Sequence, residues 1–380
     1  MDAVQLATAD LGAKYRFVYT SSRFVRAIIA DLKRRSPHCA AIGVCRPPPE
    51  HCPGTRESNR ERGTPVVKPA PTVCIIIPTY HRAQLVTRSI DSVLAQSYGD
   101  IGLIVVDDGS HDETDSTLRR YEDEPRVRVV RHEHNRGVTA AKNSGLDLIP
   151  PDSKYFGILD SDDVLLPDAV AVLVRVFESS GEAYSQVMGW YRDRRGAEVS
   201  GEMPYREGLV TYQDALCGRF RGDFWKLVRR AMLGDGRFEE RASGGEASLW
   251  WPMLKHRPGW LVPDVVGLVD TAGVDRISAR GYSPDEALQK MWAYQAVLDA
   301  VGPDMRRLAP RQFGDASAQM AKWAVLAGCS GRARRASWQA VRASPSRRSI
   351  MIGLLALAPP TLFRWLVNAR AGVGARLGSG

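Results

Sequence analysis

The short apolar run Tyr155 to Leu159 empties into Asp160-Ser161-Asp162-Asp163. Three carboxylates within four residues repel one another, and folding alone gives no reason to gather them at the end of a buried segment. The group suits hard oxygen coordination of a divalent cation shared with a phosphate-bearing substrate. A solvated turn capping a helix that begins near Leu165-Leu166-Pro167 would use the same residues. What precedes the cluster in the chain favours the metal.

Val73–Ile77, Ile101–Val106, Val127–Val130 and Tyr155–Leu159 read as strands that are apolar on both faces. They alternate with helical patterns over Ala83–Ser97, Asp112–Tyr121, Val138–Leu148 and Pro167–Phe177, with Pro167 in the first turn of the last. Such alternation predicts an α/β fold, a mostly parallel, Rossmann-like sheet flanked by helices. Ligands of such sheets bind at the carboxyl ends of the strands. Polar residues follow all four: Pro78-Thr79-Tyr80, Asp107-Asp108-Gly109-Ser110, Asn135-Arg136-Gly137 and the aspartates after residue 159. One binding crevice is the economical reading.

These segments resemble the successive motifs of glycosyltransferase family 2, in that family's order and spacing. They are Val73 to Arg82 with Pro78-Thr79-Tyr80, Ile104 to Thr114 with Asp107-Asp108, Asn135 to Gly145 with Lys142-Asn143, and Leu159 to Asp163. The resemblance is strong from 73 to about 180 and fainter to about 280. It implies a GT-A fold and transfer of a sugar from a nucleotide-diphosphate donor, usually with inversion. It implies a nucleotide pocket formed by Pro78, Tyr80, Asp107 and Asp108, with Asp108 on the base, and Lys142, Asn143 and Asp160 near ribose and diphosphate. It places Mg²⁺ or Mn²⁺ on Asp160 and Asp162, with Asp163 also well placed. Glu246, in Gly244-Gly245-Glu246-Ala247, matches the family's base at the start of a helix; Ala247 stands where many members have a second carboxylate. A late loop that often carries a His matches Asp270 to Ser278, with Asp270 at that place and Arg276 available for phosphate. Trp190, Trp225, Trp250 and Trp251 are candidates for stacking on a sugar, although most such rings are core.

Lys and Arg exceed Asp and Glu by 9 over the 380 residues, unevenly. Residues 1–70, 71–303 and 304–380 carry about +6, −8 and +11. An acidic middle suits a metal site, and a basic tail suits an anionic surface. The organisation expected is a poorly ordered basic extension over 1–70, a nucleotide-sugar half over 71–180, an acceptor half over 181–282, and a basic helical C-terminal extension over 283–380. Arginines flanking Leu354–Val367 suit a helix lying in a membrane interface, with a helix packed on the protein's own body equally open.

No secretory signal and no run of about 20 apolar residues is present. The expectation is a cytoplasmic protein, peripheral at the inner face of the cell membrane. Cys74, Cys217 and Cys329 read as reduced thiols, and the His38-to-Cys52 cluster has no compact zinc spacing.

The partners implied are a nucleotide-diphosphate sugar, UDP-linked first, and a glycan, lipid-linked glycan or cell-surface polymer precursor as acceptor, with no nucleic acid. A nucleotidyltransferase would show a Gly-rich basic loop after the first strand, which residues 78–82 are not. A nucleic-acid-binding protein would need aromatic and basic stacking surfaces or a recognition helix, and the tail shows neither.

Overall fold

The structure, a computed structural model, describes residues 70–201, 205–220, 222–269, 283–345 and 350–351. The basic extension up to residue 69, the late loop with Asp270 and Arg276, and the tail beyond 351 lie outside the described residues.

Strand β1 (Val73–Thr79) is buried along its whole length. It pairs in parallel with β2 (Ile101–Asp107) on one side and β4 (Tyr155–Ile158) on the other, and β2 pairs in parallel with β3 (Val127–Arg131). Alternation along β1 divides the core. Val73, Ile75 and Ile77 face one apolar cluster, while Cys74 and Ile76 face the other. Helix α1 (Ala83–Leu94) buries Val86, Ile90 and Val93 in the first layer, at the spacing of one helical face. Helix α2 (Thr114–Leu118) is shorter than its pattern suggests and ends in a 3₁₀ turn, Arg119–Tyr121. Helix α3 (Val138–Asp147) covers the opposite face; a Cβ on Gly145 would stand 2.3 Å from Ile76 Cγ2, so only glycine allows this approach. Helix α4 (Ala169–Ser180) returns to the first layer, with Phe177 stacked on Tyr155 at 4.3 Å. It starts two residues after Pro167 rather than on it.

The sheet is less parallel than its first half predicts. Its full order is β3-β2-β1-β4-β8-β6-β9-β5, with β7 on β9. The later strands are β5 (Val164–Leu165), β6 (Gln186–Asp193), β7 (Gly208–Val210), β8 (Trp225–Arg229) and β9 (Gly259–Val269). β4/β8, β6/β8, β5/β9 and β7/β9 are antiparallel, and β6/β9 is parallel. Two short helices serve this half: α5 (Tyr212–Leu216), opened by a Thr211–Asp214 capping box, and α6 (Ala247–His256).

Three helices close the described chain. α7 (Pro284–Leu308) begins with a Ser283–Glu286 capping box and Pro284 in its first turn, and is followed by α8 (Pro310–Leu326) and α9 (Ser330–Ala343). The apolar spacing by itself predicts the first of them over Glu286–Val301. The helix continues through Pro303 because Val301, Gly302 and Met305 are buried, and packing outweighs a local cost of about 3 kcal/mol. These helices share an apolar cluster with Leu216, Tyr212 and Trp251, so they are built onto the second half of the sheet.

Candidate active site

Because β2 and β4 flank β1, the turn after β1 reaches both of their ends. His81, in the left-handed region at φ 52°, donates its backbone N–H to Ser110 Oγ at 2.9 Å. The next residue, Arg82, pairs with Asp162 at 3.0 Å. Tyr80 is exposed and stacks on the His81 ring at 3.9 Å, while Pro78 is buried in the strand.

Both carboxylates at the end of β2 have partners, although Asp107 Oδ2 is left without a hydrogen bond. Asp107 accepts from the Ser110 backbone N–H at 3.1 Å and lies 3.4 Å from Arg131. Asp108 accepts from the backbone N–H groups of Arg136 at 2.9 Å and Gly137 at 2.7 Å, and contacts His132 Nδ1 at 2.6 Å. Asn143 is also spoken for: it donates to Phe238 O at 3.0 Å and accepts from Phe238 N at 2.9 Å. Thr139 donates to Ala242 O at 2.9 Å. Helix α3 therefore pins the segment 238–242 that leads to Glu246.

Lys142, one turn along the same helix, stands between two carboxylates. Its Nζ is 3.2 Å from Asp160 and 2.7 Å from Glu246. The lysine side chain is 6% exposed, whereas Asp160 is 54% and Glu246 42% exposed. Burial alone would lower the lysine pKa, but Asp160 and Glu246 outweigh it and hold it above the usual range. In turn the Lys142 charge, against opposing burial and with help from Lys226, holds the Glu246 carboxyl below its ordinary value. Asp163 moves the other way. Burial, then the charges of Asp160 and Asp162, push it up to about 8, although a hydrogen bond with Tyr191 opposes the rise.

The three aspartates thus turn to three different partners, Lys142, Arg82 and Tyr191. Among the described residues no group of three His, Cys, Asp or Glu side chains converges as a ligand set. The residues still fit Mg²⁺ or Mn²⁺. Such ions are held by one or two carboxylates together with substrate phosphates and water. Asp160 and Asp162 each face a cation here, so both already hold positive charge at the place an ion would take.

Asp160, Asp162, Asp163, Lys142 and Glu246 all border one cavity of about 820 Å³, which extends to Gln312, Asp315 and Gln319 of α8. Trp225, Trp250 and Trp251 also line it, Trp225 almost fully buried, whereas Trp190, packed edge-on against Phe224, does not. Arg82, Tyr191, Asp223 and Lys226 join this site without having stood out in the sequence. Lys226 lies 5.5 Å above the Trp250 ring, and burial lowers its pKa against the pull of Glu246 and Asp223. Only Arg82, the first cation after β1, carried a sequence signal.

A parallel nucleotide-type half with carboxylates at its strand ends, joined to a mixed half that brings another carboxylate opposite them, is the GT-A architecture. The residue matches agree: residues 74–235, less than half of the chain, match the family model for glycosyl transferase family 2. It is 30% identical over 193 residues to the GalNAc(5)-diNAcBac-PP-undecaprenol beta-1,3-glucosyltransferase of Campylobacter jejuni, covering 49% of this chain and 61% of that protein. It is 32% identical over 117 residues to the succinoglycan biosynthesis protein ExoO of Rhizobium meliloti, covering 31% of this chain and 33% of that protein. The chain thus spans less than two thirds of either relative. The S. aureus TarS structure solved with UDP-GlcNAc shares the fold at a TM-score of 0.53 and 16% identity, over 74% of this chain and 90% of that one. Among the described residues no helix is long and apolar enough to cross a membrane.

Proposed function

We propose that this protein transfers a sugar, with inversion, from a nucleoside-diphosphate sugar to a hydroxyl of a glycan or lipid-linked glycan. One observation carries the reading: Lys142 joins Asp160, at the end of the donor strand β4, to Glu246, at the start of α6, across a single cavity. The acceptor oxygen forms a bond to the anomeric carbon as the bond from that carbon to the diphosphate oxygen breaks. Glu246 takes the acceptor proton, and its partial exposure lets a hydroxyl reach it. Lys142 and Arg82 hold positive charge beside the departing diphosphate. A divalent ion bound by Asp160 and Asp162 would supply further charge stabilisation there.

The C. jejuni relative acts on an undecaprenol-linked acceptor, and TarS has been crystallised with UDP-GlcNAc and with UDP. A lipid-linked glycan and a uridine nucleotide are therefore the first acceptor and donor to try. The test is thermal stability with UDP and other nucleoside diphosphates, each with and without Mn²⁺. A metal-dependent rise in melting temperature that is lost in Asp160→Asn supports the reading. No rise with any nucleotide overturns it.

A further inference from the structure

Helix α9 has an outer face that the sugar chemistry does not use. Ala333, Ala336, Ser337 and Ala340 are buried against the preceding helices. At about 100° per residue, Arg334, Arg335, Trp338 and Arg342 fall together on the opposite side. All four are exposed, and Trp338, at 63%, is the most exposed of the large apolar side chains described. Arg342 stands 5.8 Å from the Trp338 ring, and no ion pair joins Arg334, Arg335 or Arg342 to an acid among the described residues. Just beyond, Ile350 and Met351 are exposed at 47% and 49%.

A solvated helix face normally mixes both signs of charge. This one does not: from Ser330 to Gly380 the sequence contains nine arginines and no Asp or Glu. The tail is therefore a poor cover for the face, since it repels it. Residues 1–69, with 12 basic and 6 acidic side chains, are no better. A surface that accepts arginines and a tryptophan together has anions above and apolar chains below, as a bilayer of acidic lipids does.

We infer that the outer face of α9, centred on Trp338 among Arg334, Arg335 and Arg342, docks the protein on an anionic membrane surface. The placement has a consequence that rests on the reading above. α8 lies directly under α9, where Gly314 permits close approach: a Cβ there would stand 2.6 Å from Ser344 Cβ. The same helix α8 lends Gln312, Asp315 and Gln319 to the cavity. Two helix layers, α9 and α8, packed at about 8–10 Å between axes, thus separate the headgroup-facing surface from the cavity wall, a span that an acceptor whose carrier stays in the bilayer has to bridge with its glycan.

The experiment is co-sedimentation of the full chain with vesicles of equal phosphatidylglycerol and phosphatidylcholine, or of phosphatidylcholine alone, at about 0.1 M salt. Binding to the acidic vesicles only is expected. The triple variant Arg334→Glu/Arg335→Glu/Arg342→Glu should weaken it at least tenfold, and Trp338→Ala several-fold. A control with the same change in net charge elsewhere, Arg119→Glu/Arg120→Glu/Arg128→Glu, should retain most of the binding. Circular dichroism melting of each variant shows whether it folds. Equal binding by the α9 variant and the unaltered chain would overturn the inference, as would equal losses in the control. So would binding to a single-stranded oligonucleotide but not to acidic vesicles. Nucleotide-induced stabilisation is read separately on the same variants, and its absence would strike the transferase reading rather than the docking surface.

Discussion

Asp108 and Asp160 sit at the ends of β2 and β4, on either side of β1, yet their surroundings are opposite. The Asp108 carboxylate is buried and filled by two backbone N–H groups and a histidine ring. Asp160 is half exposed and meets a single lysine. Asn143 and Glu246 repeat the contrast: the amide is spent on the Phe238 backbone, the carboxylate opens on the cavity. Polar residues at this edge therefore divide into those already engaged by the protein and those still open. Residue type alone does not separate them.

Variants that break this contrast should fall in order. Glu246→Gln should lower sugar transfer by about 10²–10⁴ while leaving melting and nucleotide binding close to those of the unaltered protein. Loss of nucleotide binding with the fold intact would instead place Glu246 on the donor. Asp108→Ala should do the reverse. It strands two buried N–H groups, so a loss of about 3 kcal/mol is expected, read as a melting temperature lower by roughly 6 °C. Lys142→Met should weaken nucleoside-diphosphate binding about 10- to 100-fold, measured by calorimetry, since it removes the charge between the two halves. Its stability loss should stay near 1 kcal/mol because both carboxylates it leaves are half exposed.

The same contrast explains what the sequence showed. Strands β1, β2 and β4 were legible because they are apolar on both faces, β3 from its valines despite the exposed Arg128 and Arg131, and the Asp160 cluster because a buried run had no structural use for it. β5 and β7 were not, since segments of two and three residues have no period of their own and exist through pairing with β9. The Lys142–Glu246 contact joins residues 104 apart, and only the family pattern brought both to attention. Most of the partners of Asp108 and Asn143 are backbone groups, which no residue type reveals.

The smallest effect concerns thiols, where the same division into committed and open groups recurs. Cys74, on β1, is 1% exposed, and burial pushes its thiol up to about 12, whereas Cys217 and Cys329 are partly exposed. A maleimide at pH 8 should label Cys217 and Cys329 quickly and Cys74 only as fast as the sheet unfolds, as peptide mapping would show. The raised value also has a sign for stability. The folded state keeps the Cys74 proton to higher pH than the unfolded chain does, so this contribution is complete below about pH 9 and fades as pH rises toward 12. Cys74→Ala should therefore flatten the fall in stability measured between pH 9 and 10.5, beyond its constant cost for the lost sulfur. An unchanged slope, or rapid labelling of Cys74 in the folded protein, would mean that the sheet around β1 opens far more readily than its burial implies.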